Sequence, residues 1–260
     1  MADTPAALLP LLSEVARAAG EAILPIWRSG IAGRAKPDGS PLTEADLAAE
    51  RVILAGLAAA CPGLPVVSEE SPPEEAAIPD RFLLVDPLDG TKEFLAGSGE
   101  FTVNIALVEA HRPVAGVVVA PALGVLWQGA VGAGATRTDR ASGRTRPIAV
   151  RPRASPPVAV ASRSHADAET EAFLAGLGVR ERRAIGSSLK FCLVAEGEAD
   201  VYPRFGPTME WDTAAGHAVL LAAGGRVETP AGAPLRYGIG VQGWRNGPFI
   251  AWGGDLPADG

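Results

Sequence analysis

Two aspartates stand three residues apart at the end of a short apolar run. Residues 82–85 (FLLV) predict a buried strand, and Asp86 and Asp89 follow it within the segment DPLDGT. A carboxylate at the tip of a buried strand costs free energy unless a countercharge or a metal ion lies beside it. Only Arg81 and Lys92 are near in the sequence, so the pair of acids indicates a cation site.

Further acidic residues lie at the ends of predicted elements. Asp46 falls in the first turn of a predicted helix, Glu69 follows the apolar segment PVVS, and Asp212 opens another predicted helix. Oxygen ligands of this kind select Mg²⁺, Mn²⁺ or Ca²⁺ over zinc. The only two cysteines, Cys61 and Cys192, are far apart and provide no C-x-x-C motif for zinc. The acids together predict a site for hard divalent cations.

Each of these acids also has a purely structural explanation. Thr43 and Asp46 match a helix capping box, and Asp212 fits a helix N-cap. Asp89 followed by Gly90 fits a tight turn. Taken one at a time, the structural explanation is favoured, whereas their combination favours the metal site.

The segment DPLDGT also offers a phosphate site beside the metal site. The carbonyl of Leu88 lies between the two aspartates. Gly90 and Thr91 precede a predicted helical turn at residues 92–95, and free backbone N–H groups at such a position bind anions. The sequence therefore predicts divalent cations next to a bound phosphate.

The composition limits the kind of protein. The chain has 260 residues, of which 47% are hydrophobic and 20% charged, as is typical of a globular protein with a large core. Its net charge of −7 argues against nucleic-acid binding. No apolar run is long enough for a transmembrane helix, and the N-terminus does not match a secretory signal. We expect a cytoplasmic protein that is either a monomer or a homodimer.

An Arg-rich segment allows one further interpretation. Residues 137–153 contain six arginines, which would suit peripheral attachment to the inner membrane or contact with a polyanion. A solvated hairpin rim is the favoured alternative.

Helices and strands alternate in blocks along the chain. This alternation predicts a layered α/β or α+β architecture, with halves at residues 1–150 and 151–260 that part near 145–157. An antiparallel meander is predicted over residues 101–131. Helices are predicted at residues 5–28, 43–60, 167–178, 187–200 and 211–225, and further strands at 66–67, 82–85, 157–162, 201–205 and 249–254.

Several motifs resemble those of a known superfamily. SEES (68–71), VDPLDGTKEF (85–94) and EWDTAAGHAV (210–219) resemble the inositol-monophosphatase-like Mg²⁺-dependent, lithium-sensitive phosphatases. SPLTEAD (40–46), GEFTVNIALV (99–108) and GSSLKFCLVAEGEAD (186–200) are most similar to its CysQ-type 3'(2'),5'-bisphosphate nucleotidases. The resemblance covers most of the chain. It implies a layered αβαβα sandwich that removes the 3'-phosphate of adenosine 3',5'-bisphosphate, a by-product of sulfate assimilation, by metal-activated attack of water.

The resemblance also implies a role for each matching position. Two or three Mg²⁺ ions would be ligated by Glu69, Asp86, the carbonyl of Leu88, Asp89 and Asp212. Asp46 and Thr91 would accept the proton of the attacking water, and Glu69 would help to orient that water. The small-molecule nucleotide and its scissile phosphate would contact Gly90, Thr91, Ser162, His165, Gly186, Lys190 and Asp212. The resemblance also implies that Mn²⁺ could serve in place of Mg²⁺, whereas Ca²⁺ or Li⁺ would inhibit.

Two other functions stay open. An inositol-1-phosphate phosphatase, or a related sugar phosphatase, would use the same metal site, although DGTKEF together with GSSLK favours the nucleotide. A non-catalytic sensor of a phosphate ligand would keep the fold without the reaction. The presence of every acidic residue that the reaction requires argues against the sensor.

Overall fold

A computed structural model describes residues 4–30, 34–35, 41–73, 79–163, 167–239 and 242–255. Within these residues the chain forms six α-helices: α1 Pro5–Ser29, α2 Glu44–Ala60, α3 Thr91–Leu95, α4 Ala168–Gly176, α5 Leu189–Ala195 and α6 Glu210–Ala222. The strands of the same residues are β1 Arg34–Ala35, β2 Pro41–Leu42, β3 Val66–Ser68, β4 Arg81–Asp89, β5 Thr102–Glu109, β6 Arg112–Ala120, β7 Val125–Ala130, β8 Gly134–Asp139, β9 Thr145–Ile148, β10 Val158–Ser162, β11 Glu181–Ile185, β12 Val201–Arg204, β13 Thr208–Met209, β14 Arg226–Glu228, β15 Arg245–Asn246 and β16 Phe249–Trp252. None of the described helices has the length and apolar character that crossing a membrane requires.

The larger sheet has seven strands in the order β3-β4-β5-β6-β7-β8-β9. Its neighbouring strands are antiparallel, except that β3 and β4 are parallel. Along β4, Leu83 and Val85 belong to the apolar cluster with α1 and α2, whereas Phe82 and Leu84 belong to the cluster with α6. Because successive side chains point to opposite faces and both faces are buried, this part of β4 is continuously apolar.

The smaller sheet has five strands in the order β11-β10-β12-β16-β14. On one face, Leu174 of α4 packs with Ala159 and Trp252. On the other face lie α5 and α6, and Phe191 of α5 stacks on Phe249 of β16. The layers are therefore α1 and α2, the larger sheet, α5 and α6, the smaller sheet, and α4. This order confirms the predicted αβαβα sandwich.

Most predicted elements are confirmed, and the differences have local causes. The helices predicted at 5–28 and 43–60 are α1 and α2, and the predicted meander is β5 to β7. The helix predicted at 187–200 is wrong in length, because it ends at Ala195 and Gly197 adopts a left-handed φ of 74°. Strand β11 is missing from the prediction because its charged side chains are mostly exposed and show no apolar alternation.

The Arg-rich segment forms the hairpin of β8 and β9 and the linker that follows it. Arg137 and Arg146 both pair with the buried carboxylate of Glu196. Arg151 pairs with Asp200, whose side chain is fully buried. These arginines tie the hairpin and the linker to the rest of the fold. The pairing favours a structural role for the segment over a membrane or polyanion surface.

The two sheets come from opposite sides of the predicted boundary near residue 150. Helix α6, from the C-terminal half, nevertheless packs against β4 to β7 of the N-terminal half. One apolar cluster includes Leu84 from the first half and Val160 from the second. The division into a half at 1–150 with most of the expected metal ligands and a half at 151–260 with Asp212 and the substrate-specificity segments stays a prediction.

Candidate active site

Strand β4 carries three of the predicted ligands beyond its apolar run. Its pairing with β5 joins Asp86 to Asn104 and then shifts register, so that Asp89 pairs with Thr102. Such a shift is a β-bulge, and Pro87, which has no backbone N–H to donate, lies within it. The strand therefore runs on to Asp89, past its predicted end, and the bulge redirects the side chains at its tip.

A cavity of about 290 Å³ lies at this end of β4. All five predicted metal-binding positions line it: Glu69, Asp86, Leu88, Asp89 and Asp212. Five other predicted contact residues also line it: Gly90, Thr91, Ser162, Gly186 and Lys190. His165 lies outside the described residues, and Asp46 is not among the described residues that line the cavity. The fold thus brings together acids that are up to about 140 positions apart in the chain.

Burial raises the pKa values of the acids around the cavity. The pKa of Asp86, which is 1% exposed, lies well above its usual value because of burial and of the negative charges nearby, foremost Glu69. Burial and then the charge of Asp89 raise the pKa of Asp212 in the same direction. Burial raises the pKa of Asp89 to about 6, although the ammonium of Lys190 opposes this shift. The carboxylates repel one another, so a cation between them would stabilise their charged forms.

The donor set fits hard divalent cations. Carboxylates and one carbonyl supply oxygen atoms alone, and no His or Cys lies among the described residues that line the cavity. Glu69 and Asp86 share a side-chain hydrogen bond. In the described part of the chain no three acidic, His or Cys side chains meet closely enough to enclose an ion on their own. The oxygens instead surround a shared cavity, where water and phosphate oxygens would complete the coordination.

Gly90 and Thr91 lie where β4 passes into the short helix α3. Gly90 has a φ of 92°, and a Cβ at this position would lie 3.0 Å from the carbonyl oxygen of Glu100, so glycine is required. Thr91 is the first residue of α3, and its Oγ1 lies 3.4 Å from the carbonyl oxygen of Leu88. Both residues line the cavity, and the binding of phosphate by their amides stays a prediction.

Asp46 is the predicted site residue that does not reach the cavity lining. It is buried in the first turn of α2, and its Oδ2 accepts hydrogen bonds from the backbone N–H and the hydroxyl of Thr43, both at 2.7 Å. The capping box is therefore present. Strand β2, which directly precedes Thr43, contacts α3, so the start of α2 lies near the helix that Thr91 opens. A shared proton-accepting role for Asp46 and Thr91 stays a prediction.

Asp212 is the third residue of α6, so the alternative that it forms the N-cap is wrong. The helix begins at Glu210, and Met209 is the N-cap residue. Asp212 Oδ2 accepts a hydrogen bond of 2.8 Å from the backbone N–H of Met209. This bond holds the carboxylate at the start of the helix while the side chain lines the cavity.

Lys190 brings a buried positive charge to the site. It is 5% exposed, its Nζ donates to the carbonyl oxygen of Ser187 at 2.6 Å, and it lies 5.2 Å from the ring centre of Tyr202. Burial lowers the pKa of Lys190 to about 8, and the carboxylate of Asp89 limits that shift. The side chain is therefore largely cationic at neutral pH.

Several residues that line the cavity were not predicted as site residues from the sequence, and Arg204 and Tyr202 are two of them. Arg204 is 7% exposed and donates to the carbonyl oxygens of Gly206 at 3.1 Å and Pro207 at 2.9 Å. The segment VYPRF predicts only a strand, yet an arginine inside such an apolar strand is itself a signal, since arginine is rarely buried without a partner. Together with Lys190 it gives the cavity two buried cations besides its carboxylates.

Comparisons with known proteins agree with this geometry. The family model described as "Inositol monophosphatase family" matches residues 6–247. The 3'(2'),5'-bisphosphate nucleotidase CysQ of Escherichia coli strain K12 is 50% identical over 88% of this chain and 94% of its own length. Its counterpart in Buchnera aphidicola is 43% identical over 89% of this chain and 88% of its own length.

Solved structures show the same likeness. The crystal structure of CysQ from Bacteroides thetaiotaomicron superposes with a TM-score of 0.80 and 40% identity, covering 94% of this chain and 96% of that one. The inositol monophosphatase from Anabaena superposes with a TM-score of 0.76 and 27% identity, covering 96% and 91%.

Proposed function

The chain belongs to the inositol monophosphatase family, and we propose that it removes the 3'-phosphate of adenosine 3',5'-bisphosphate to give AMP and phosphate. The observation that carries this function is the 50% identity to 3'(2'),5'-bisphosphate nucleotidases over 88% of the chain. The match to an inositol monophosphatase is weaker, at 27% identity. The protein is a phosphoric monoester hydrolase that depends on metal ions, generally Mg²⁺.

The acidic wall of the cavity is proposed to hold the metal ions. Two or three ions would be bound by Glu69, Asp86, the carbonyl of Leu88, Asp89 and Asp212. Bound Mg²⁺ supplies activation of the attacking water and neutralisation of the phosphate charge. The charge clustering around Asp86 supports this assignment, because burial and mutual repulsion disfavour the carboxylates without cations. Mn²⁺ is proposed as a substitute, and Ca²⁺ and Li⁺ as inhibitors.

Residues of β4, α2 and α3 are proposed to handle the phosphate and the proton. The backbone amides of Gly90 and Thr91 would donate to the scissile phosphate, next to Asp89 in the chain. Asp46 would act with Thr91 as the general base, and Glu69 would orient the attacking water. Thr91 lies in the cavity wall, and its hydroxyl is within 3.4 Å of the carbonyl oxygen of Leu88, beside the proposed ligands.

The basic residues of the cavity are proposed to select the nucleotide. Adenosine 3',5'-bisphosphate carries a second phosphate, which an inositol monophosphate lacks. Lys190 and Arg204 are both buried in the cavity wall and bring positive charge to it. Gly186 and Ser162 line the same cavity, and Asp212 would contact the substrate as well as a metal ion.

The choice of substrate is tested by comparing turnover in Mg²⁺. We expect kcat/KM for adenosine 3',5'-bisphosphate to exceed that for inositol 1-phosphate by at least about tenfold, which requires about 1.4 kcal/mol of extra transition-state binding. A preference for inositol 1-phosphate would identify a sugar phosphatase instead. Binding of the bisphosphate without release of phosphate would identify a sensor.

We further propose a cytoplasmic location and a monomeric or homodimeric state. Sedimentation at assay concentration distinguishes the monomer from the homodimer.

A further inference from the structure

Glu100 lies between two segments of the cavity wall. Its carbonyl oxygen is 3.0 Å from the place that a Cβ would take at Gly90, and 3.0 Å from the corresponding place at Gly186. Its side chain accepts a hydrogen bond of 2.9 Å from the backbone N–H of Gly186. The same carboxylate pairs with Arg163 at 2.8 Å. One residue therefore contacts both the proposed phosphate-binding segment and the proposed nucleotide-binding segment.

The turn that Glu100 contacts contains a strained residue. Ser187 has a φ of 50°, a left-handed conformation that is uncommon for residues other than glycine. Such a conformation persists only where the surrounding contacts enforce it. The cavity wall includes Ser187, so its backbone conformation sets the shape of the cavity at that point.

Hydrogen bonds hold this turn on both sides of Ser187. The N–H of Gly186 donates to Glu100 before it, and the N–H of Ser188 donates to Oδ2 of Asp89 after it. Lys190 Nζ donates to the carbonyl oxygen of Ser187 itself. The position of the turn is therefore coupled to a proposed metal ligand on one side and to Glu100 on the other.

We propose that Glu100 is a positioning residue that holds residues 186–188 in the conformation that binds the nucleotide. This inference rests on the proposed function. Glu100 acts on the binding of the nucleotide and not on the chemical step. Its loss therefore raises KM for the bisphosphate and changes kcat little. The Gly186 contact carries the effect, since the paired Arg163 side chain is 49% exposed and an exposed ion pair contributes little.

The test compares two substitutions of the same residue. Glu100→Ala removes the acceptor for Gly186 N–H, and we expect KM for adenosine 3',5'-bisphosphate to rise about tenfold, with kcat within about threefold of the parent value. Glu100→Gln keeps an acceptor oxygen, and we expect KM to stay within about threefold. The control is Glu109→Ala, at the far end of β5, where Glu109 pairs with Arg81 on the surface. Its KM should equal that of the parent.

A second variant relieves the strain directly. Glycine adopts a positive φ without cost. Adding Ser187→Gly to Glu100→Ala should therefore reverse at least about a third of the increase in KM for the bisphosphate. This double variant also keeps the test available if Glu100→Ala folds poorly, as judged by its thermal unfolding midpoint.

The possible outcomes separate the two proposals. If the parent protein does not hydrolyse the bisphosphate, the proposed function fails before any variant is compared. If the parent does so but Glu100→Ala leaves KM within about twofold, the positioning role is overturned. Equal losses in Glu100→Ala and Glu100→Gln would overturn it too, because they would assign the effect to the Arg163 pair. An equal fall in kcat for every phosphate ester would also overturn the positioning role, because it would indicate a general structural defect.

Discussion

Burial of His217 allows a quantitative prediction of how the free energy of unfolding depends on pH. It is 3% exposed on α6, the helix that carries Asp212, and its Nδ1 lies 3.0 Å from the hydroxyl of Tyr237. Burial lowers the pKa of His217 from 6.5 to about 3. Between these values the unfolded chain binds a proton that the folded protein does not, so stability falls as the pH falls from 6.5 towards 3.

The magnitude follows from the part of this window that an experiment can cover. When the pH is lowered from 7 to 5, about the last 1.5 pH units lie below the pKa of His217 in the unfolded chain. At about 1.4 kcal/mol per pH unit, the free energy of unfolding falls by about 2 kcal/mol. His217→Gln can keep a hydrogen bond to Tyr237 but does not titrate, so it should lose this component. Urea unfolding at pH 7 and pH 5 measures the change in the free energy of unfolding in the parent and in the variant, with EDTA present to remove metal ions. Because both proteins have the same carboxylates, the difference between their changes reports on His217.

Equal losses of the free energy of unfolding between pH 7 and pH 5 in the parent and in His217→Gln would contradict this prediction.

Three further predictions concern the site and its support. Asp89→Asn should lower kcat by at least about a hundredfold, because it removes a proposed metal ligand. Its loss of stability should be small, because burial already disfavours the charged carboxylate; steady-state kinetics and urea unfolding check both expectations. Gly90→Ala should cost about 1–3 kcal/mol and most of the activity, because its Cβ would meet a backbone oxygen at 3.0 Å. Gly97→Ala, with a φ of 71° and open space around it, should keep full activity in the same assay. Asp200→Ala should cost about 1–3 kcal/mol, because it removes the acceptor of the Arg151 guanidinium and of the backbone N–H groups of Ala154 and Val158. We expect kcat/KM to stay unchanged, and calorimetric unfolding measures the loss of stability.

The acidic residues that line the cavity could be predicted because they follow apolar elements. Asp86 and Asp89 end a strand whose two faces are both buried, and that burial is visible in the sequence as an uninterrupted apolar run. The energetic conflict between a carboxylate and such a position is local, so it needs no knowledge of the fold. The sequence did not predict the bulge at Pro87, which depends on pairing with β5.

The basic and supporting residues of the site could not be predicted in this way. Arg204 lies in an apolar strand, and Glu100 precedes one without any neighbouring residue that hints at a partner. Their contacts join segments that are distant in the chain, as with Glu100 and Gly186, 86 positions away. Strand β11 was missed for a related reason, since an exposed edge strand is defined by its neighbour β10 and not by its own pattern.

Locating the bound metal ions would show whether the acids of the cavity bind them. Crystals grown with Mn²⁺ and phosphate allow the ions to be located by anomalous diffraction. We expect at least one Mn²⁺ within about 2.5 Å of carboxylate oxygens of both Asp86 and Asp89, with Asp212 ligating the same cluster. Anomalous peaks that all lie away from this cavity, in a protein that hydrolyses the bisphosphate, would contradict it.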